Sequence, residues 1–207
     1  MKKYIGYYEE VVSYELCDKI IDYTEIHRRF DFNESTYANH KGVIKSTEMP
    51  GSHSRDNAPA GQSRRPNTIW SGDRVKMEEV WFREGEKFYI DFKAAFNRVI
   101  REYSNEHELF SCQRHTDFRL NKYSTDGFMS KHCDNIHHSH GQEYGFPQVS
   151  ALLFLNDDYD GGEFVVADKV YNTKKGSGII FPSNFMFPHE VKPITKGIRW
   201  SVVTWLM

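Results

Sequence analysis

Between Ser130 and His140 the chain reads SKHCDNIHHSH, which packs four histidines, a cysteine and an aspartate into eleven residues. On an extended strand His132 and Asp134 stand two apart and project to one face, while Cys133 points away. That pair can share a metal ion. A third donor must come from elsewhere, and FPHEVKP offers His189, which opens another strand directly behind a proline. Two imidazoles and one carboxylate cover one triangular face of an octahedral ion and leave three positions open, the arrangement that suits non-haem Fe(II) and dioxygen chemistry. Zinc more often takes a closed set of four. His137, His138 and His140 lie past the strand in a glycine-containing loop and read as solvated positions, and Cys133 reads as a small core residue.

Ten residues beyond His189 stands Arg199, in the run IRWSVVTW. Arg199, Ser201, Val203 and Trp205 alternate onto one face of that strand. A guanidinium and a hydroxyl side by side in an apolar cavity can hold a carboxylate by two parallel hydrogen bonds. The spacing therefore describes a cavity with a metal at one end and an anion clamp at the other.

Such a site needs strands, and the second half of the chain supplies them. After Phe110, short period-two segments (DFRLNKY, GFMSKHCDN, VSALLFLN, GEFVVAD, GSGIIFP, HEVKPI, IRWSVVTWL) are punctuated by TDG, DYDGG, KKGSG and PSN. These are strands joined by tight turns, and seven or eight of them make a β-sandwich or barrel of jelly-roll type. The first half reads differently. Ser13 can cap a helix running to about Phe30, and residues 76–104 show helical periodicity through Val80, Trp81, Phe88, Phe92, Ala95, Phe96, Val99 and Ile100, with Gly85 a break between two helices. Between them, residues 33–73 are rich in Gly, Pro, Ser and Asn, an excursion of the kind that serves as a lid or stays disordered. Expected is one domain over 1–207: helical support and a lid-like loop 33–73 in residues 1–109, and the β core in 110–207.

Composition agrees with one globular unit. Of 207 residues 39% are hydrophobic and 15% aromatic, enough for one sizeable core. No apolar run reaches the eighteen residues of a membrane span, and the start turns acidic where a signal peptide would be apolar, so a soluble, cytoplasmic protein without a membrane partner is expected. Cys17, Cys112 and Cys133 are an odd number without CxxC spacing, which argues against a disulfide framework or a zinc ribbon. A net charge of −2 gives no overall footprint for nucleic acid, although residues 41–74 hold Lys41, Lys45, Arg55, Arg64, Arg65 and Arg74 against Glu48, Asp56 and Asp73.

The order HxD, distal His, then Arg ten residues on resembles the Fe(II)- and 2-oxoglutarate-dependent dioxygenases. VSALLFLNDDYDGGEFVV and HEVKPITKGIRWSVVTW are similar to the prolyl 4-hydroxylase catalytic-domain branch, including its bacterial and viral members, with the likeness dense from about Arg119 to Trp205. The resemblance implies a double-stranded β-helix. It implies His132, Asp134 and His189 as iron ligands, Arg199 as the group that binds the distal carboxylate of 2-oxoglutarate, and Tyr123 as a lining residue of the cosubstrate pocket. Where some relatives have a tyrosine at that carboxylate this chain has Phe154, and Ser201 or Tyr123 can take its place. Collagen-type relatives use lysine in place of Arg199; Lys196 lies nearby but misses both spacing and inward phase. The implied activity is hydroxylation with Fe(II), 2-oxoglutarate and dioxygen, with ascorbate an admissible accessory, on peptidyl proline or a free amino acid or other small molecule. A nucleic-acid demethylase of the same fold generally carries a second arginine soon after the first, which RWSVVTWLM lacks, and Asp134 argues against a halogenase. A cupin-like protein that holds metal without turnover is the non-enzymatic alternative.

Overall fold

The computed structural model describes residues 2–34, 42–43, 70–71, 75–136 and 147–207. Its strands begin with β1 (Gly6–Tyr8), β2 (Asn33–Glu34), β3 (Gly42–Val43), β4 (Trp70–Ser71), β5 (Val75–Lys76) and β6 (Glu78–Phe82). Next come β7 (Phe118–Tyr123), β8 (Phe128–His132), β9 (Val149–Phe154), β10 (Asp160–Gly161) and β11 (Phe164–Val166). The chain closes with β12 (Lys169–Tyr171), β13 (Gly178–Pro182), β14 (His189–Val191), β15 (Ile194–Lys196) and β16 (Arg199–Leu206). Two helices, α1 (Tyr14–His27) and α2 (Tyr89–Glu106), lie in the first half. Among the described residues no helix is long and apolar enough to cross a membrane.

Helix α1 starts where Ser13, in extended conformation, accepts a hydrogen bond from the Leu16 amide at 3.2 Å, and it ends at His27, a turn earlier than expected. In α2 the buried positions Phe92, Ala95, Phe96, Val99 and Tyr103 recur every three or four residues and make one apolar stripe. Ahead of α2 the helical expectation for residues 76–88 fails, because Glu78–Phe82 is a strand. Its residues pair antiparallel with β7 from Glu78↔Lys122 to Phe82↔Phe118. A five-residue apolar run fits either period, and the ladder decides it. Gly85, with φ of 88°, therefore turns the chain from strand to helix, not from helix to helix. The opening residues also hold a strand that local pattern did not suggest: β1 pairs with β13 at the edge of the larger sheet.

Seven strands form one sheet in the order β1-β13-β9-β16-β7-β6-β2, and five form the other in the order β12-β11-β14-β8-β5. All pairings within them are antiparallel. This is the jelly-roll core expected from the turn pattern, in the double-stranded β-helix form that the resemblance implied. The "helices first, then strands" order needs one amendment, since β1, β2, β5 and β6 come from the first half and extend both sheets.

Alternation on the larger sheet separates two cores. Phe118, Leu120, Val149, Ala151, Leu153, Trp200, Val202 and Leu206 face the helices and pack with Cys17, Ile20, Phe92, Phe96 and Val99. The opposite phase, with Tyr123, Leu152, Phe154, Val203 and Trp205, packs between the sheets against Val75, Met129, Phe164, Val166 and Val191. Because both faces of this sheet are covered, its central strands read as nearly continuous apolar runs, and every residue of β9 and β16 is buried.

Candidate functional site

The smaller sheet brings the two histidines together. His132 ends β8, His189 begins β14, and the two are direct antiparallel partners with ring centroids 4.2 Å apart. Asp134 is not on the strand as expected: β8 stops at His132, and Asp134 opens a short 3-10 turn through Ile136. The turn still returns its carboxylate to the same place. Oδ1 lies 3.3 Å from His132 Nε2 and Oδ2 lies 3.4 Å from His189 Nε2. These separations are close to the edge of about 3 Å of an octahedron with bonds of about 2.1 Å. His132, Asp134 and His189 are the one group of three among the described residues whose donor atoms could hold a metal ion, all within 4.8 Å of one another.

The surroundings fix the donor atoms. His132 Nδ1 donates to the Ser130 carbonyl at 2.9 Å, which leaves the Nε2 lone pair for a cation. The Ser150 hydroxyl donates to Asp134 Oδ2. With its proton spent there, Ser150 accepts from Ser183 at 2.8 Å. Burial would raise the Asp134 carboxyl, but His189, His132 and the Ser150 hydrogen bond outweigh it and hold the group well below the usual carboxylate range. Burial pushes the His189 imidazole down to about 4 against the pull of Asp134, so it is neutral, the ligating form, at neutral pH. Cys133 is buried and lies outside the donor group.

The larger sheet supplies the other wall. Arg199 is 1% exposed, and Nη1 donates to Ser201 Oγ at 3.2 Å, while Nε and Nη2 are buried without a hydrogen-bond partner. Tyr123 is the cross-strand partner of Arg199, and the guanidinium carbon lies 5.4 Å from its ring, 5.3 Å from that of Phe154 and 5.8 Å from that of Phe164. Burial pushes the Tyr123 phenol up, against the influence of Arg199 and Arg119. A buried guanidinium with two idle nitrogens and, among the described residues, no carboxylate paired with it is suited to receive an anion. Lys196, on β15, is exposed, as its strand phase implied. Arg64, Arg65, His137, His138, His140 and most of the 33–73 excursion lie outside the described residues.

Several pocket groups escaped the reading of the sequence. Arg119 and Asn121 share the face of Tyr123 on β7, and both line the pocket together with Met129, Leu152 and Trp205. Behind the lining residues, Glu79 and Trp81 of β6 are the cross-strand partners of Asn121 and Arg119. The period-two rule, applied backwards from Tyr123 through FRLNKY, would have marked Arg119 and Asn121. No local signal marks Ser150, whose phase in SALLF matters only because Asp134 folds over it.

Residues 118–207 match the family described as the 2OG-Fe(II) oxygenase superfamily. Over 93 residues the chain is 37% identical to a PKHD-type hydroxylase of Rippkaea orientalis; the match takes in 42% of this chain and spans 40% of that relative's length. Among solved structures, a prolyl 4-hydroxylase of Pseudomonas putida superposes with a TM-score of 0.65 at 16% identity, covering 98% of this chain and 91% of the other. A prolyl hydroxylase of Trichoplax adhaerens, in complex with a hypoxia inducible factor oxygen degradation domain peptide fragment, superposes with a TM-score of 0.63 at 14% identity, covering 99% and 84%. The fold is thus that of the prolyl 4-hydroxylase-type enzymes, and residues 118–207, a little under half of the chain, are similar to the 2OG-Fe(II) oxygenase superfamily.

Proposed function

We propose that this chain is an Fe(II)- and 2-oxoglutarate-dependent hydroxylase acting on prolyl residues of peptides, with His132, Asp134 and His189 as metal ligands and Arg199, Ser201 and Tyr123 as the cosubstrate clamp. The observation that carries the reading is the pairing, between one pair of sheets, of an open two-histidine, one-carboxylate donor set with a buried arginine that has two idle N–H groups. Iron and 2-oxoglutarate, when bound, supply the oxidation: dioxygen is consumed, the keto acid leaves as succinate and carbon dioxide, and one oxygen atom reaches the substrate carbon.

The residues of the chain do the rest. Asp134, held by Ser150, keeps its carboxylate turned toward both imidazoles. Arg199 and Ser201 grip the distal carboxylate, and the Tyr123 hydroxyl on the neighbouring strand adds a donor. Phe154, Phe164 and Phe181 exclude water around these charges, which strengthens each contact. The peptide substrate is supported by the peptide held in the Trichoplax enzyme and by the hydroxylase relatives.

The test is succinate formation in the presence of Fe(II), 2-oxoglutarate and oxygen, with proline-containing peptides, the same peptides carrying alanine for proline, and free proline. Stimulation by the proline peptides alone supports the reading, and a chelator should abolish it. Stimulation only by free proline transfers the activity to a small-molecule substrate. If no combination yields succinate, the enzymatic reading is lost.

A further inference from the structure

Arg119 and Asn121, which line the pocket, belong with Glu79 of β6 to a second polar cluster, up to four residues along β7 from Tyr123, or about 13 Å of strand. Arg119 is 4% exposed, Glu79 7% and Asn121 3%. Nη1 of Arg119 and Oε2 of Glu79 are 3.3 Å apart, an ion pair that does not meet hydrogen-bond geometry. Three buried atoms here have no hydrogen-bond partner: the Arg119 Nε–H donor and the acceptors Glu79 Oε2 and Asn121 Oδ1. Buried polar atoms left idle are costly, by about 1–3 kcal/mol each in general, and a cluster of three beside a metal-binding donor set points to a ligand that completes it. Beside them stand two indoles, Trp81 and Trp205, with ring centroids 6.2 Å apart and the Arg119 guanidinium 4.7 Å from the Trp205 ring.

The two arginines of the pocket differ in kind. Among the described residues no carboxylate pairs with Arg199, so an anion can balance it. Arg119 is already balanced by Glu79, and a second charge brought into this dry corner would be left uncompensated. The completing group must therefore be neutral and carry an acceptor for Nε–H together with a donor for Oε2 or Oδ1. A secondary amide has both. We propose that Glu79, Arg119 and Asn121 form a substrate subsite that takes a backbone amide of an extended peptide, its flanking side chain lying against Trp81 and Trp205, and that this subsite sets the preference for an internal residue over a free amino acid. The inference rests on the hydroxylase reading and names how that site selects its substrate. These are positioning residues, which act on the substrate backbone away from the reacting carbon.

The experiment uses the full chain loaded with Mn(II), which replaces iron without turnover, and saturated with 2-oxoglutarate. An N-acetylated, C-amidated Ala-Pro-Ala peptide and free proline are titrated by calorimetry. Removing Arg119 or Glu79 alone would strand a buried charge, so the main variant is the double replacement Glu79→Gln with Arg119→Gln, and Asn121→Ala is the second, from which the cluster's charges are untouched. The capped peptide should bind the wild type more tightly than free proline. Each variant should weaken peptide binding by about tenfold or more, the loss of roughly one satisfied buried hydrogen bond, while the 2-oxoglutarate dissociation constant stays within about twofold. If the double variant does not fold, Asn121→Ala decides alone. Peptide binding unaltered in the folded variants overturns the subsite and leaves the hydroxylase reading standing; so does tighter binding of free proline than of the capped peptide. Failure of the wild type to bind Mn(II) and 2-oxoglutarate at all overturns both.

Discussion

Asp134 is the residue on which the proposed metal site turns, because it is the one donor of the three that faces both histidines. His132→Ala, Asp134→Ala and His189→Ala are each expected to abolish succinate formation, since each removes one of only three donors. The finer expectation concerns Ser150, which touches no metal but donates to Asp134 Oδ2. Ser150→Ala should lower metal affinity by about 10–100-fold while the fold persists, measured by competition against a chelating indicator. At the other wall, Arg199→Ala should weaken 2-oxoglutarate binding by at least about thirtyfold, the cost of truncating one side of a buried charge contact, with metal affinity retained. The exposed Lys196, changed to alanine, should leave both unchanged. An unaltered cosubstrate affinity in Arg199→Ala would remove that residue from the clamp.

The elements that hold the site depend on a few close approaches. Phe96 of α2 is 2% exposed and stacks on Phe118 of β7 with centroids 5.3 Å apart, which joins the helix layer to the strand that carries Arg119, Asn121 and Tyr123. Phe96→Ala should cost about 3–5 kcal/mol in unfolding free energy, read from urea denaturation. Gly176 makes a different kind of contact. Its carbonyl accepts from the amides of Val11 and Val12, its amide donates to the Phe154 carbonyl, and its φ is 76°. A Cβ there would stand 2.3 Å from the Val12 carbonyl oxygen, a backbone atom that cannot swing aside. Gly176→Ala should therefore cost about 2–4 kcal/mol from strain and clash together, with its effect on the segment between β1 and α1 visible as faster amide exchange at Val11 and Val12.

At the scale of the whole molecule the helix-facing core carries ionisable groups that resist losing their protons. Burial pushes the Cys17 thiol from 9.0 up to about 11 and the Tyr103 phenol up to about 12. A group whose proton is held more tightly in the folded state stabilises the fold below its unfolded pKa, and that contribution is lost as pH rises through the folded value. Between about pH 9 and pH 11 the urea midpoint should fall, and Cys17→Ala should flatten part of that slope. At neutral pH, Cys17 should react with a thiol reagent only as fast as the protein unfolds. A thiol that reacts rapidly in the native state would show that the α1 contact with the large sheet is looser than its full burial indicates.

The proposed chemistry was legible in the sequence because it depends on residue type and chain order: HxD, a histidine opening a strand, and an arginine ten residues later on the same face as a serine. The β core was legible for a similar reason, since period-two runs and glycine turns are local. Three things were decided only by tertiary structure. Glu78–Phe82 is a strand because β7 offers it a ladder, and a short apolar run does not choose its own period. Asp134 meets the histidines from a 3-10 turn, where the alternation rule no longer applies, because the end of β8 and the Ser150 hydroxyl hold it there. The Glu79, Arg119 and Asn121 cluster is assembled from two strands separated by a whole helix, and only burial reveals that its polar atoms wait for a partner. Residue types and local periods are written along the chain, whereas the pairing of distant strands and the satisfaction of buried polar groups exist only when the chain is folded.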